Sequence, residues 1–239
     1  MADKSYGTVA RLKEVVEKSG ERLGKALRAL DYPNGGRAQG IFHENNLIIH
    51  LAHQLMEKEF HCYAEAAVVD GQIDLLAYRD GIAFAVEAKM FGDPRQRVWE
   101  VMSDLARLET FTPLFSPPSD QPSAGHLPQW WASARERWGV VVIGYQRAGS
   151  REIGEAWTAH SDEVASDLIH KGNQARHRKE TVDVISQRIV ELRKDLRLRN
   201  AQTGACPICT GTHWQGADDA WLLWAVFPLS QHEQSDADA

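Results

Sequence analysis

QIDLLAYRDGIAFAVEAKM, residues 72–90, contains two runs of mostly apolar residues on either side of an Asp-Gly pair, Asp80-Gly81. Asp-Gly between such runs is a strong short-range signal for a β-hairpin with a two-residue turn. Residues that flank the turn must pair, so Arg79 lies opposite Ile82, and counting outward places Asp74 opposite Glu87. The stretch therefore predicts two antiparallel strands that carry opposed carboxylates.

A second Asp-Gly pair, Asp70-Gly71, predicts another strand before this hairpin and hence a three-stranded antiparallel meander. A two-residue turn at 70–71 would pair Val69 with Gln72 and Ala67 with Asp74. Alternation predicts an apolar core face made of Ala64, Ala66, Val68, Ile73, Leu75, Ala77, Phe84, Val86, Ala88 and Met90. The opposite face is expected to carry small side chains around Asp74, Glu87 and Lys89, like the floor of a site.

Helical and strand patterns surround the meander. A first helix ends before the Pro- and Gly-rich stretch 32–40, and a second helix over about 43–59 places Glu44 on the same stripe as Ile48, Leu51 and Leu55. A helix over about 95–110, a buried strand over 138–146, a long helix over about 175–198 and a last strand in WLLWAVFPL follow. This order predicts an α/β protein.

Length and composition set the organisation that we expect. The chain has 239 residues, 43% of them hydrophobic, which supports a sizeable core. We predict an N-terminal helical segment over 1–40, a core over 41–147 with a Pro-rich insertion over 111–137, a C-terminal helix and strand extension over 148–229, and a disordered tail over 230–239. No apolar run approaches the roughly 20 residues that span a bilayer, so we expect no membrane partner and a cytoplasmic location. Three cysteines argue against a disulfide framework.

The opposed carboxylates point to a cation. Side chains directly opposite on antiparallel strands have Cβ atoms about 4.5–5.5 Å apart, where like charges are destabilising unless they are neutralised. Carboxylate oxygens suit Mg²⁺ or Mn²⁺, and Mg²⁺ is typically held by one or two carboxylates. Lys89 projects from the same strand face as Glu87 and can reach the charge that develops on a phosphate.

These residues resemble the motif of the PD-(D/E)xK nuclease superfamily, which is an Asp on one strand and Glu-x-Lys on the next, here Asp74 and Glu87-Ala88-Lys89. The core of that family, helix, three strands, helix and strand, is similar to the order predicted over 43–146. The resemblance implies a restriction-endonuclease-like core and Mg²⁺-dependent hydrolysis of DNA phosphodiester bonds, with Mn²⁺ as a substitute. It also implies that Asp74, Glu87 and Glu44 bind metal and that Lys89 acts in catalysis. Ile73 replaces the proline of the motif, and the resemblance covers under half of the chain.

Other interpretations stay open at this point. The fold could serve a non-catalytic member that binds nucleic acid or a partner subunit, or the charges could belong to a structural domain and be merely solvated. Glu65 is either a further ligand or a polar edge residue, and Gln96 is either a counterpart of the glutamine found in some members or a helix surface residue. A role in restriction or anti-phage defence, action on RNA, and assembly as a homodimer or with a partner protein are likewise open.

Positive charge is concentrated in one segment of an acidic chain. The net charge is -6, but residues 171–199 contain nine Lys and Arg against four acids, a local balance of +5. A polyanion needs such a surface near a carboxylate-lined site. We predict that Arg176, Arg178 and Lys179 contact DNA phosphates. In the second half of the segment, the basic residues are either exposed as well or paired with acids along the helix.

Two further groups admit a functional and a structural interpretation. Cys206, Cys209 and His213 form a Cys-x₂-Cys with a nearby His, which suits a structural Zn²⁺ except that a fourth ligand is not visible nearby. Trp130 and Trp131, beside the Pro-rich stretch, either stack on bases or cover the core, and the core interpretation is favoured.

Overall fold

The computed structural model describes residues 2–29, 44–68, 71–91, 94–110, 129–146, 150–174, 190–209 and 220–229. These residues form a mixed α/β structure around one six-stranded sheet. The strands are β1 (His61–Val68), β2 (Gly71–Arg79), β3 (Ile82–Phe91), β4 (Glu136–Gln146), β5 (Gln202–Cys209) and β6 (Ala220–Pro228). Their order in the sheet is β1-β2-β3-β4-β6-β5, and only the pairing of β3 with β4 is parallel. The predicted α/β class is confirmed.

Helices lie on both faces of this sheet. They are α1 (Ala2–Ala29), α2 (Glu44–Glu57), α3 (Pro94–Thr110), α4 (Gln129–Ala132), α5 (Ser150–Trp157) and α6 (Asp162–Gln174), and residues 190–198 are also helical. The chain thus contains the predicted succession of helix, three strands, helix and strand. Of the long helix predicted over 175–198, only its last part is described. Among the described residues, none of the helices combines the length and the apolar character that crossing a membrane requires.

The hairpin of β2 and β3 has the predicted register. Arg79 pairs with Ile82, and the ladder continues to Leu75 opposite Val86. Asp80 and Gly81 both have positive φ, 51° and 84°, as a type I′ turn requires. The local turn chemistry therefore determines this hairpin.

The register predicted for β1 and β2 is wrong. Val68 pairs with Gly71 and Ala67 with Gln72, so the connection is 69–70 and Ala67 does not oppose Asp74. Gly71, at φ 134°, begins the strand and does not occupy the turn. The ladder is also interrupted at Glu65, whose φ is 53°. Asp-Gly signalled a turn here, but the tertiary structure selected the residues that form it.

Both faces of the central strands are buried, whereas β1, at the edge of the sheet, is mostly exposed. On the first face, α1 and α2 pack against side chains that include Leu75, Phe84 and Val86. On the second face, α3, Trp131 and the C-terminal helices cover Leu76, Ala83, Ala85 and others. The small side chains predicted for this face are confirmed at Ala83 and Ala85, and elements distant in sequence cover them.

Three residues predicted on the first face pack in the second core. They are Ala66, Val68 and Ile73, which lie at the end of the meander beyond Glu65. The positive φ of Glu65 interrupts the alternation of β1 at that point. Alternation alone could not predict this change.

Gly139 of β4 has a structural role that can be tested. A Cβ atom at this position would lie 2.4 Å from Cζ of Phe227, its neighbour on β6. We expect Gly139→Ala to lower the free energy of unfolding by about 1–3 kcal/mol, because a packed core resists added volume. Urea unfolding would measure the change. Gly7→Ala in α1, where a Cβ would meet nothing within 4 Å, is the matched control and should be neutral or stabilising; equal effects of the two substitutions would contradict the packing argument.

Candidate functional site

Asp74 and Glu87 lie on neighbouring strands at the end of the β2–β3 ladder. The ladder ends with Leu75 opposite Val86, so the predicted pairing of Asp74 with Glu87 is not part of it. One Asp74 oxygen, Oδ2, accepts a hydrogen bond from the backbone N–H of Ala88 at 2.7 Å. The aspartate side chain thus binds the segment of β3 that carries Glu87 and Lys89.

Glu87 is the buried centre of the site, with 1% of its surface exposed. Its Oε1 accepts a hydrogen bond from Nη2 of Arg107 at 2.7 Å. Its Oε2 lies 4.0 Å from Nζ of Lys89 and has no hydrogen-bond partner. Burial, followed by the negative charges of Asp74 and Asp104, raises the pKa of Glu87 to about 8, although Arg107 acts in the opposite direction.

Lys89 is held against a second carboxylate. Its Nζ lies 3.0 Å from Oδ2 of Asp104, and its side chain is 14% exposed. Burial lowers the pKa of Lys89, but the adjacent carboxylates of Asp104, Asp74 and Glu87 outweigh burial and keep that pKa above its usual value. The lysine therefore carries its positive charge.

Asp104 and Arg107, both on α3, contact the predicted site residues Glu87 and Lys89 but were not predicted from the sequence. The same Nη2 of Arg107 that binds Glu87 also lies 2.6 Å from Oδ1 of Asp104. Asp104 is 5% exposed and follows the buried Val101 by three residues and precedes the buried Leu108 by four. A charged residue on an apolar helical stripe was the signal that could have identified it.

The five residues Asp74, Glu87, Lys89, Asp104 and Arg107, here named the Glu87 cluster, bring three carboxyl groups beside two cations. One buried Glu87 oxygen, Oε2, has no hydrogen-bond partner, which is costly unless a further ligand satisfies it. Asp74 and Glu87 therefore fit a divalent cation, since Mg²⁺ is commonly held by one or two carboxylates.

The case for a divalent cation in the Glu87 cluster rests on Asp74 and Glu87 alone among the described residues. Within the ranges that the structure describes, no group of three or more His, Cys, Asp or Glu side chains is arranged to hold a metal ion. Glu44 is the first residue of α2 and is partly exposed. Helix α2 packs in the first core, whereas α3 packs in the second, so Glu44 lies on a helix across the sheet from Asp104 and Arg107. Its role in metal binding stays a prediction.

The other predicted ligands are only partly described. Glu65 is exposed on β1, at the edge of the sheet, and the side chain of Gln96 lies outside the described residues. Cys206 lies in β5, where burial, followed by the charges of Glu17 and Glu21, raises the pKa of its thiol to about 12. The side chain of Cys209 and the whole of His213 lie outside the described residues. A structural zinc ion stays a prediction.

The basic segment is described only in its second half. Arg176, Arg178 and Lys179 lie outside the described residues. Arg193 is 3% exposed, which corrects the expectation that it is exposed. Arg199 pairs with Asp195 at 2.8 Å and Arg197 with Asp162 at 3.1 Å. Pairing along the helix is thus the correct interpretation for Arg199, whereas Arg197 is exposed and its acidic partner lies on α6.

The tryptophans beside the Pro-rich stretch belong to the core. Trp131 is 4% exposed within the second core, and Trp130 packs against that core with its ring centroid 5.4 Å from that of Tyr78. The favoured structural interpretation is confirmed for Trp131. Its burial leaves no ring face for stacking on a base.

Chemically, the Glu87 cluster combines a pair of carboxylates that can bind a cation with a charged lysine beside them. Such a combination suits reactions in which negative charge develops on a phosphate. Searches against protein-family models, curated proteins and solved structures find no match to the chain.

Proposed function

We propose that the protein is a metal-dependent nuclease with a restriction-endonuclease-like core, and that it hydrolyses DNA phosphodiester bonds. The observation that carries this proposal is that Asp74 of β2 lies close enough for its charge to act on Glu87 of β3, with the charged Lys89 two residues further along β3. The succession of α2, β1 to β3, α3 and β4 supports it, as does the parallel pairing of β3 with β4.

Each residue of the site has a role under this proposal. Asp74 and Glu87 hold Mg²⁺, which Mn²⁺ can replace, and Glu44 is the candidate for a third carboxylate. When bound, the ion supplies Lewis-acid polarisation of a phosphoryl oxygen. Lys89 donates a hydrogen bond to a phosphate oxygen or to the attacking water, and its positive charge stabilises the negative charge that develops there. Asp104 positions Lys89 through the 3.0 Å ion pair.

DNA binding requires positive charge outside the cluster. The chain has a net charge of -6, so the phosphates of DNA must meet a local basic surface. Residues 171–179 contain Lys171, Arg176, Arg178 and Lys179, and Lys171 is exposed on α6. We assign the phosphate contacts to this part of the chain.

The proposal predicts that supercoiled plasmid DNA is cut in the presence of millimolar Mg²⁺ and is left intact in EDTA. Asp74→Asn removes a negative charge but keeps the side-chain shape, so we expect the rate to fall by at least about 100-fold. Agarose gel electrophoresis over time would measure nicked and linear products. Asp167→Asn, on the exposed side of α6, is the control and should cut at the wild-type rate. Cleavage by pure protein in EDTA would contradict the proposal.

A second candidate function is supported by one observation. Arg107 already binds Glu87 and Asp104, which is the arrangement expected if these charges serve structure and the protein binds nucleic acid or a partner subunit without cutting. The same experiment separates the two functions. Binding of labelled DNA without cleavage in either Mg²⁺ or Mn²⁺ would favour the non-catalytic protein.

A further inference from the structure

Arg107 is the residue whose contacts carry an inference beyond the proposed function. One of its nitrogens, Nη2, binds both Glu87 Oε1 at 2.7 Å and Asp104 Oδ1 at 2.6 Å. Its Nε is buried and has no hydrogen-bond partner. The guanidinium does not form the two parallel hydrogen bonds of a bidentate pair with either carboxylate. Arg107 thus supplies charge to Glu87 without the geometry of a dedicated structural pair.

We propose that Arg107 holds the place of the divalent cation at Glu87 and that the metal ion must displace it to bind. This inference rests on the proposed function, because it assigns Glu87 as a metal ligand. The guanidinium occupies Oε1 of a carboxylate that is 1% exposed, so an ion approaching Glu87 meets a like charge at close range. The arginine and the ion therefore compete for one carboxylate.

Arg107 has a second partner that the exchange would leave in place. Asp104 lies one helical turn before it on α3 and already accepts from the same nitrogen, so Arg107 keeps one partner when it releases Glu87. Lys89 keeps its own contact with the other Asp104 oxygen, Oδ2. Asp104 is therefore the anchor that both cations share.

Charge balance gives the exchange a consequence for the substrate. A bound divalent ion adds two positive charges to the cluster and so favours the binding of a phosphodiester there. The exchange would thus make DNA binding at the cluster dependent on prior metal binding.

Mn²⁺ binding tests the exchange without reference to cleavage, because the EPR signal of free Mn²⁺ reports the bound fraction directly. Arg107→Gln removes the charge but keeps an amide donor for the two carboxylates. We expect it to bind Mn²⁺ about tenfold more tightly than the wild type, which corresponds to about 1.4 kcal/mol. Arg107→Lys keeps the charge and should stay within about threefold of the wild type. Arg151→Gln, in an exposed pair on α5, is the matched control and should leave Mn²⁺ affinity unchanged.

Each outcome of the Mn²⁺-binding experiment either supports or overturns the exchange. Equal or weaker Mn²⁺ binding by folded Arg107→Gln would overturn the exchange and leave the proposed function standing. Absence of Mn²⁺ binding in both the wild type and Arg107→Gln would overturn both. If circular dichroism shows that Arg107→Gln is unfolded without metal, recovery of the fold on addition of Mn²⁺ supports the exchange, and failure to recover overturns it.

Discussion

Lys89→Met is expected to reduce the rate of Mg²⁺-dependent DNA cleavage by about 10²–10⁴-fold while the variant still folds and binds Mn²⁺. The reason is that Lys89 is charged, lies beside Glu87 on β3, and is aimed by its 3.0 Å ion pair with Asp104. Methionine keeps the length and the apolar stem of the side chain, but it carries no positive charge and cannot donate a hydrogen bond. The loss should therefore appear in kcat.

Two measurements separate this catalytic role from a structural one. Single-turnover cleavage of a labelled duplex would give the rate, and circular dichroism with Mn²⁺ binding would show that fold and metal site survive. Lys194→Met, an exposed lysine in the helical segment 190–198, is the matched control and should cut normally. An unchanged rate in Lys89→Met would identify Lys89 as an ion-pair partner of Asp104 and would remove it from the mechanism.

The second large effect concerns stability and pH in the metal-free protein. The pKa of Glu87 is about 8 in the folded protein, against an ordinary value of 4.5. Between these values the folded protein holds a proton that the unfolded chain has released, so folding takes up a proton and rising pH opposes it. Since one pKa unit corresponds to about 1.36 kcal/mol, the free energy of unfolding should fall by a few kcal/mol from about pH 5 to about pH 8.

The groups that face Glu87 explain the direction of this change. Asp74 on β2 and Asp104 on α3 disfavour its ionised form, as does burial, while Arg107 on α3 and Lys89 on β3 favour it. Burial and the two carboxylates have the larger effect on the pKa of Glu87, because Arg107 and Lys89 are both shared with Asp104. The stabilising contribution of the protonated form is thus present at low pH and is lost as pH rises through about 8.

Glu87→Gln tests this assignment, because glutamine has nearly the same shape and does not titrate. We expect the variant to show a flatter dependence of stability on pH and to exceed the wild type in stability at pH 8. Urea unfolding in EDTA at several pH values between 5 and 8.5 would measure it. Glu163→Gln, on the exposed face of α6, is the control and should retain the wild-type slope. Identical slopes in Glu87→Gln and wild type would mean that Glu87 stays ionised throughout.

Sequence-based predictions were accurate where they depended on residues close along the chain, and inaccurate where packing between distant segments decided the outcome. The β2–β3 register was predictable because Asp80 and Gly81 adopt the positive φ values that their turn requires. The β1–β2 register was not predictable from Asp70-Gly71, because Gly71 entered the strand and Glu65 interrupted β1. The same interruption placed Ala66 in the second core. A turn signal shows where a chain reverses, but packing selects the residues that pair.

By itself, the sequence determined that Asp74 and Glu87 lie on neighbouring strands near Lys89, because turn geometry acts between residues close along the chain. Only the tertiary structure decided that this group is buried and tied to Asp104 and Arg107. Those two side chains reach Glu87 because α3 packs on the sheet, and Trp131 and the C-terminal helices complete the cover from far along the sequence. Burial, followed by the charges of two other carboxylates, raises the pKa of Glu87, and burial is a property of the packed chain.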